Sequence, residues 1–294
     1  MSKINDEGFL ELSGVHARLE GSQLSAEQFP LLEGMSPLSL RVLNQSSKVL
    51  NVVTGVEMMH AGDTPHDLYF IAKGSILVTK MGDGKQKVIA QLRAGDVFGE
   101  YGALRGKTRF ASVFTAEPSI IIRVDLHSVQ QVIDADKDFG TRITTMMKQR
   151  LLSSFLFGHP AFQSLSQVAR SNLAEKLTVQ EVQRDEALFS TGDNAENYYM
   201  ILSGEAEVYL EEEKGTVLFE IRRDNSPLGE VRSDKGTKYA YTVRASNNLD
   251  VLVLDKEAME LISQEEPKIK LELNVLMAAQ MKKTVANIQK LTSS

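Results

Sequence analysis

The sequence predicts an α+β chain made of two small, jelly-roll-like β-rolls in tandem, each flanked by helices. Three observations carry this. Landmark residues recur at a constant offset of 130: Gly62-Asp63 with Gly192-Asp193, Gly74 with Gly204, Gly99-Glu100 with Gly229-Glu230, and Asp125 with Asp255. Self-similarity at one fixed spacing marks a duplicated structural unit. Within each copy, short apolar runs are bounded by Gly-Asp or Asp-Gly, the pattern of strands joined by tight turns. At the flanks the apolar period changes to that of helices.

Residues 1–28, opening MSKINDEGFLELSG, form an N-terminal segment. The first domain spans 29–155 and starts with a helical stretch in which Leu32, Met35, Leu38 and Val42 share a face. Strands follow at Leu68 to Ile71, Ile76 to Val78 and Ile120 to Val124, and Gly62-Asp63 supplies a β-turn. After the roll, Val129, Val132, Ile133, Ile143, Met146, Met147 and Leu151 return at helical spacing until Gly158-His159-Pro160 breaks the helix at the junction. The second domain, 156–266, repeats the order: AFQSLSQVARSNLAE, STGDNAENYYMILSGEAEV, SPLGEV and VLVLD. Its EEEK at 211–214 reads as a solvated hairpin tip. A C-terminal helix, 267–294, begins near Pro267. Its stripe of Leu273, Met277, Met281, Val285 and Ile288 either packs on its own domain or serves dimerisation.

Composition narrows the function. The 294 residues suffice for about two ordinary cores, and 42% apolar with 24% charged residues is normal for a soluble globular protein. A net charge of -6 and no dense basic face argue against nucleic acid as a partner. There are no cysteines, which excludes disulfides, thiolate metal sites and cysteine nucleophiles and fits a reducing, cytoplasmic setting. No signal peptide is legible, and no apolar run approaches the ~18 residues of a membrane span. The five histidines lack metal-ligand spacing, and no Ser-His-Asp grouping or metal cluster gives catalysis a footing, so no enzyme and no metal are expected.

The stretch FGEYGALRGKTRFAS, residues 98–112, is the richest in chemistry. Gly99 permits close backbone approach, and the residues after it can make one helical turn with unpaired amides, a site suited to an anion. Arg109 adds a fixed fork of donors for a phosphate, and Glu100 can accept from sugar hydroxyls. An acid and a base that read hydroxyl and phosphate on one ligand describe a nucleotide site. Without a ligand, Arg109 could instead pair with Glu100.

This stretch, set in a repeated roll, resembles the phosphate-binding cassette of the cyclic-nucleotide-binding domain family. That family is shared by the regulatory subunits of cAMP-dependent protein kinase, catabolite activator proteins and cyclic-nucleotide-gated channels. Gly99, Glu100, Gly102, Arg109 and Ala111 match its motif. The resemblance covers about Phe29 to Ile262. It implies that Glu100 holds the ribose 2′-hydroxyl, that Arg109 pairs with the cyclic phosphate, and that amides near Gly102, Ala103 and Ala111 complete the cradle. Phe110 stands where the family usually has Ala, Ser or Thr. Its ring either stacks on the base, lines the pocket or points into the core.

The second cassette departs further. Gly229 and Glu230 remain, but VRSDKGTKYAYTV replaces the apolar turn. Aligning Ala240 with Ala111 sets Lys238 opposite Arg109 with the spacing one residue shorter, and lysine is a point charge where a fork is wanted. Gly229, Glu230, Lys238 and Ala240 thus form at most a second, weaker site, and a degenerate copy suits an interaction or lid module.

No helix-turn-helix follows the rolls and no Arg-Arg-x-Ser/Ala pseudosubstrate precedes them, so neither DNA binding nor a standard kinase-inhibitor segment is legible. The leading expectation is a stand-alone cyclic-nucleotide receptor without a further cofactor. It would bind cAMP or cGMP in the first domain and shift the helix at about 136–155, altering contacts with the second domain or with an unidentified protein partner, with neither nucleic acid nor membrane involved. The alternatives are a scaffold of the same fold that binds no nucleotide and a kinase-inhibitory regulatory subunit with an unusual docking segment.

Overall fold

A computed structural model describes residues 3–4, 10–11, 23–64, 66–82, 85–105, 109–162, 164–212, 215–230 and 238–292. It forms two compact units, Met1–Met147 and Lys148–Ser294. The helices are α1 (Pro37–Gln45), α2 (Glu100–Arg105), α3 (Leu126–Ala135), α4 (Lys137–Gly158), α5 (Gln167–Lys176), α6 (Lys256–Glu265) and α7 (Pro267–Thr292). The division between units falls within α4.

Each unit contains two antiparallel sheets with one strand order. In the first, Ser47–Val52, Ser119–Asp125, Asp67–Lys73 and Val97–Phe98 lie side by side, extended at one edge by Leu10–Glu11 and Lys3–Ile4. The other sheet is Glu57–Met59, Ser112–Thr115, Ser75–Gly82 and Lys85–Arg93. The second unit repeats both orders, with Val179–Val182, Leu249–Leu254, Tyr198–Ser203 and Pro227–Leu228 in one sheet and Ala187–Phe189, Thr242–Ala245, Ala206–Glu212 and Gly215–Arg222 in the other. The duplication extends to irregularities: register shifts at Val78/Thr79 and Glu57/Met59 recur at Val208/Tyr209 and Ala187/Phe189. A bulge bends its strand and re-aims side chains, so its repetition preserves the curvature of the roll.

The repeated polar landmarks have local duties. Asp125 caps α3 by accepting from the Ser128 amide, and Asp255 caps α6 through Ala258. Ser36 and Ser166 do the same for α1 and α5. Each satisfies an amide that the first helical turn leaves without a partner. Gly62 and Gly192 sit in turns whose amides bond the carbonyls of Arg109 and Tyr239.

In the first unit, Phe70, Ile122 and Val124 on the sheet pack with Phe29, Leu43, Val129, Val132, Phe139 and Ile143, while Leu50, Ile71, Ile76, Val113 and Ile121 fill the roll. The second roll is filled by Ile201, Val208, Leu228, Tyr241, Val243 and Val251. Two helical expectations need correction. Leu38, next to the Pro37 start of α1, is 73% exposed, and Ser39 and Leu43 are the buried residues. On α7, Leu273 and Met277 are buried, but Met281 and Val285 are exposed and Thr284 is fully buried. The inward line of α7 thus advances from Met277 to Thr284, because polar groups wait beneath its second half.

Candidate functional site

In the first unit the strand Val97–Phe98 delivers the chain to Gly99, whose φ is +90°. A Cβ there would lie 2.9 Å from Arg109 Nη1 and 3.1 Å from the Asp67 carbonyl oxygen, so the position demands glycine for both conformation and space. Helix α2 starts at once and buries Glu100, Gly102 and Ala103.

Arg109 is buried beside it. Its Nη1 donates to the Gly99 carbonyl at 3.0 Å and its Nη2 to the Asp67 carbonyl at 2.8 Å. Its backbone is fixed as well: the amide donates to Asp63 O, and its carbonyl accepts from Gly62 N. The guanidinium lies 5.9 Å from the centre of the Tyr69 ring, which stacks on Phe98. Burial pushes the Arg109 pKa down, while Tyr69, Asp67, Glu100 and Asp63 favour the cation. Burial, with the neighbouring Asp67 charge, raises the Tyr69 phenol to about 12, keeping it neutral. Ala111 is buried, and the Ser112 hydroxyl after it accepts from the Ala61 amide. Phe110 is half-buried, with its ring 5.3 Å from that of Tyr101 and the Lys80 ammonium 3.7 Å from its centre. It therefore stands at an edge of the cassette, outside the core clusters.

Where it is described, the second cassette repeats the backbone contacts of the first with different chemistry. Gly229 has φ +84°, and a Cβ there would meet Asn197 O at 3.0 Å and Tyr239 Cε1 at 3.2 Å. The residue opposite Arg109 is Tyr239: its amide donates to Asp193 O, its carbonyl accepts from Gly192 N, and its phenol donates to Asn197 O at 2.7 Å. Each bond repeats one made by Arg109. This corrects the alignment that set Lys238 there. The spacing from Gly229 to Tyr239 equals that from Gly99 to Arg109, so no residue is missing. Lys238 is exposed and donates to Asn194 Oδ1, while Ala240, packed at the core's margin, is the counterpart of Phe110. The VRSDKGT stretch, 231–237, lies outside the described residues.

Glu230 is buried in a closed network. Arg222, on the strand Gly215–Arg222, meets its Oε1 through Nη2 at 2.8 Å and its Oε2 through Nη1 at 3.0 Å. Tyr241 donates to Oε2 at 2.5 Å, and the Thr284 hydroxyl, from α7, lies 2.8 Å from Oε1. Tyr241 also accepts from the Gly229 amide, and Arg222 donates to Pro227 O and pairs with Glu220. Burial works against the Arg222 cation, but Tyr241, Glu230 and Glu220 outweigh it and raise its pKa. Burial and the Glu230 charge raise the Tyr241 pKa well above its usual value. Phe189 stacks on Tyr239 with ring centres 3.8 Å apart.

Sequence reasoning missed Arg222, Tyr239, Tyr241 and Thr284. Holding the 130-residue offset through the cassette, instead of anchoring on an alanine, would have found the tyrosines. Arg222 stands where the first unit has Leu92, so no repeat signal could reveal it.

The sequence profile described as "Cyclic nucleotide-binding domain" matches residues 50–136 and again 179–266. The chain belongs to the cyclic nucleotide-binding domain family. It is similar to the cAMP-dependent protein kinase regulatory subunit of Colletotrichum orbiculare, 25% identical over 214 residues, covering 70% of this chain and 52% of that protein. The subunit of the same name from Yarrowia lipolytica is 24% identical over 258 residues, 84% of this chain and 65% of that protein. The chain thus spans between about half and two thirds of these relatives. Among solved structures, the regulatory domain of Toxoplasma gondii PKA with cAMP is 16% identical, with a TM-score of 0.36 over 83% of this chain and 90% of that one. Among the described residues, no helix of this cyclic nucleotide-binding domain protein is long and apolar enough to cross a membrane.

Proposed function

We propose that the first cyclic nucleotide-binding domain binds cAMP or cGMP through Gly99, Glu100, Gly102, Ala103, Arg109, Phe110 and Ala111, and that the chain acts as a regulatory receptor. The observation that carries this reading is Arg109: a buried guanidinium, oriented by two backbone carbonyls, beside the first turn of α2. Such a cation is pre-placed for a phosphate, and no part of its positioning waits for the ligand. In this reading Glu100 takes the ribose 2′-hydroxyl, the amides near Gly102, Ala103 and Ala111 complete the cradle, and Phe110 lines the edge where the base lies.

The output is a change in protein association and not catalysis. The relatives, named as kinase regulatory subunits, support a protein kinase as the partner. Ligand can move that equilibrium only by its differential affinity for the two states. Calorimetry on the full chain, freed of nucleotide and titrated separately with cAMP and cGMP, tests the reading. One equivalent of either per chain is expected. If neither gives heat or raises the melting temperature, the protein is a scaffold of the same fold.

A further inference from the structure

We infer that the second domain carries a built-in substitute for a ligand: Arg222, Tyr239 and Tyr241 fill and close its cassette from within, and Thr284 latches α7 onto it. This domain therefore takes no cyclic nucleotide and keeps its C-terminal helix docked whether or not nucleotide is present. A carboxylate offers about four lone-pair sites. Three of these are filled on Glu230 by hydrogen bonds from protein side chains, Arg222 Nη1 and Tyr241 at Oε2 and Thr284 at Oε1, and Arg222 Nη2 lies 2.8 Å from Oε1 as an ion pair. A sugar hydroxyl would have to intrude among these partners at a side chain that is fully buried.

The phosphate position is closed by the same logic. Tyr239 spends its phenolic proton on Asn197 O, and its ring is covered by Phe189. A neutral ring there offers a phosphate no charge to replace its lost hydration.

The helix is part of the lock. Thr284 accepts from Arg222 Nη2 at 2.6 Å while facing Glu230, Gln280 Nε2 lies 3.5 Å from Glu220 Oε1, and the Lys283 ammonium reaches the same oxygen at 3.3 Å. A buried ion pair is tolerable only while its donors and acceptors are met. Lifting α7 would strip one hydrogen bond from each of Glu230 and Arg222, so the pair itself holds the helix down.

Hydrogen exchange of the full chain tests this, read at residues 274–290 and 222–241. Thr284→Val removes the hydroxyl at nearly constant volume and is expected to speed exchange in α7 by about tenfold or more, the worth of a hydrogen bond to a charged group. Thr284→Ser keeps the hydroxyl and should stay near the wild-type rate. In an Arg109→Ala background, where the first domain is disabled, saturating cAMP or cGMP should leave both windows unchanged. Slowed exchange at 222–241 in that background, or a Thr284→Val chain indistinguishable from wild type in α7, overturns the inference. The Thr284 comparison uses no nucleotide, so its outcome is independent of whether the first domain proves to be a receptor.

Discussion

The phenol of Tyr239 donates to the carbonyl oxygen of Asn197 at 2.7 Å. In the other domain the same place in the roll holds a guanidinium that donates to Asp67 at 2.8 Å. One scaffold therefore presents a cation in one copy and a neutral ring in the other, with the backbone contacts around both unchanged.

Arg109 should dominate ligand affinity. Arg109→Ala removes one side of a buried charge pair and is expected to cost about 2–5 kcal/mol of cyclic-nucleotide binding, roughly thirtyfold to several thousandfold in Kd. Arg109→Lys should recover only part, because the two carbonyl contacts need a fork. Wild-type affinity in the alanine variant, measured by calorimetry, would place the ligand elsewhere.

Gly99 should be irreplaceable in a way that Gly55 is not. Both have positive φ, but a Cβ at Gly55 meets nothing within 4 Å, whereas at Gly99 it meets the Arg109 guanidinium. Gly55→Ala is expected to cost only backbone strain, about 1–3 kcal/mol. Gly99→Ala should lower stability further and weaken nucleotide binding, and equal effects of the two in urea unfolding and titration would contradict the packing argument.

The Arg222–Glu230 pair should show the asymmetry of buried ions. Arg222→Leu alone leaves a buried carboxylate without its cation and is expected to cost about 3–5 kcal/mol. Adding Glu230→Leu should restore part of that loss, since the second change removes the stranded charge. Additive losses in the double variant would mean that the pair is not coupled.

His159 should make the second unit sensitive to mild acid. It is buried against Phe155 and Phe162, its Nδ1 accepts from the Ala161 amide, and burial lowers its pKa from 6.5 to about 4. The unfolded chain therefore takes up the proton first as pH falls. The stability due to the neutral ring is fully present above about pH 6.5 and declines as pH drops toward 4, by on the order of 3 kcal/mol. Comparing wild type with His159→Gln across this range isolates the effect, because other titrating groups cancel. Parallel stability curves would refute it.

The architecture was legible because the duplication preserves residues that geometry cannot easily replace. Gly99 and Gly229 hold positive φ, Asp125 and Asp255 cap equivalent helices, and all keep the 130-residue spacing. Part of the second cassette's chemistry was not legible, because it rests on Arg222 and Thr284, which lie outside the repeated motif. Arg222 reaches Glu230 from the end of the strand Gly215–Arg222, where its counterpart, Leu92, is a half-buried leucine packed against the roll's core. Thr284 lies on a helix whose apolar spacing suggested Met281 and Val285, and only the buried acid explains why the helix turns its threonine inward.

Arg222 stands where the first domain has Leu92, and Tyr239 where it has Arg109. These two differences are energetically linked. An arginine at 239 while Arg222 remains would bring two guanidinium groups near one buried carboxylate, as Arg109 lies near Glu100. Removing Arg222 while Tyr239 remains would strand Glu230 without a cation. Either single exchange is expected to lower stability, so the residues at 222 and 239 are interchangeable with those of the first domain only as a pair.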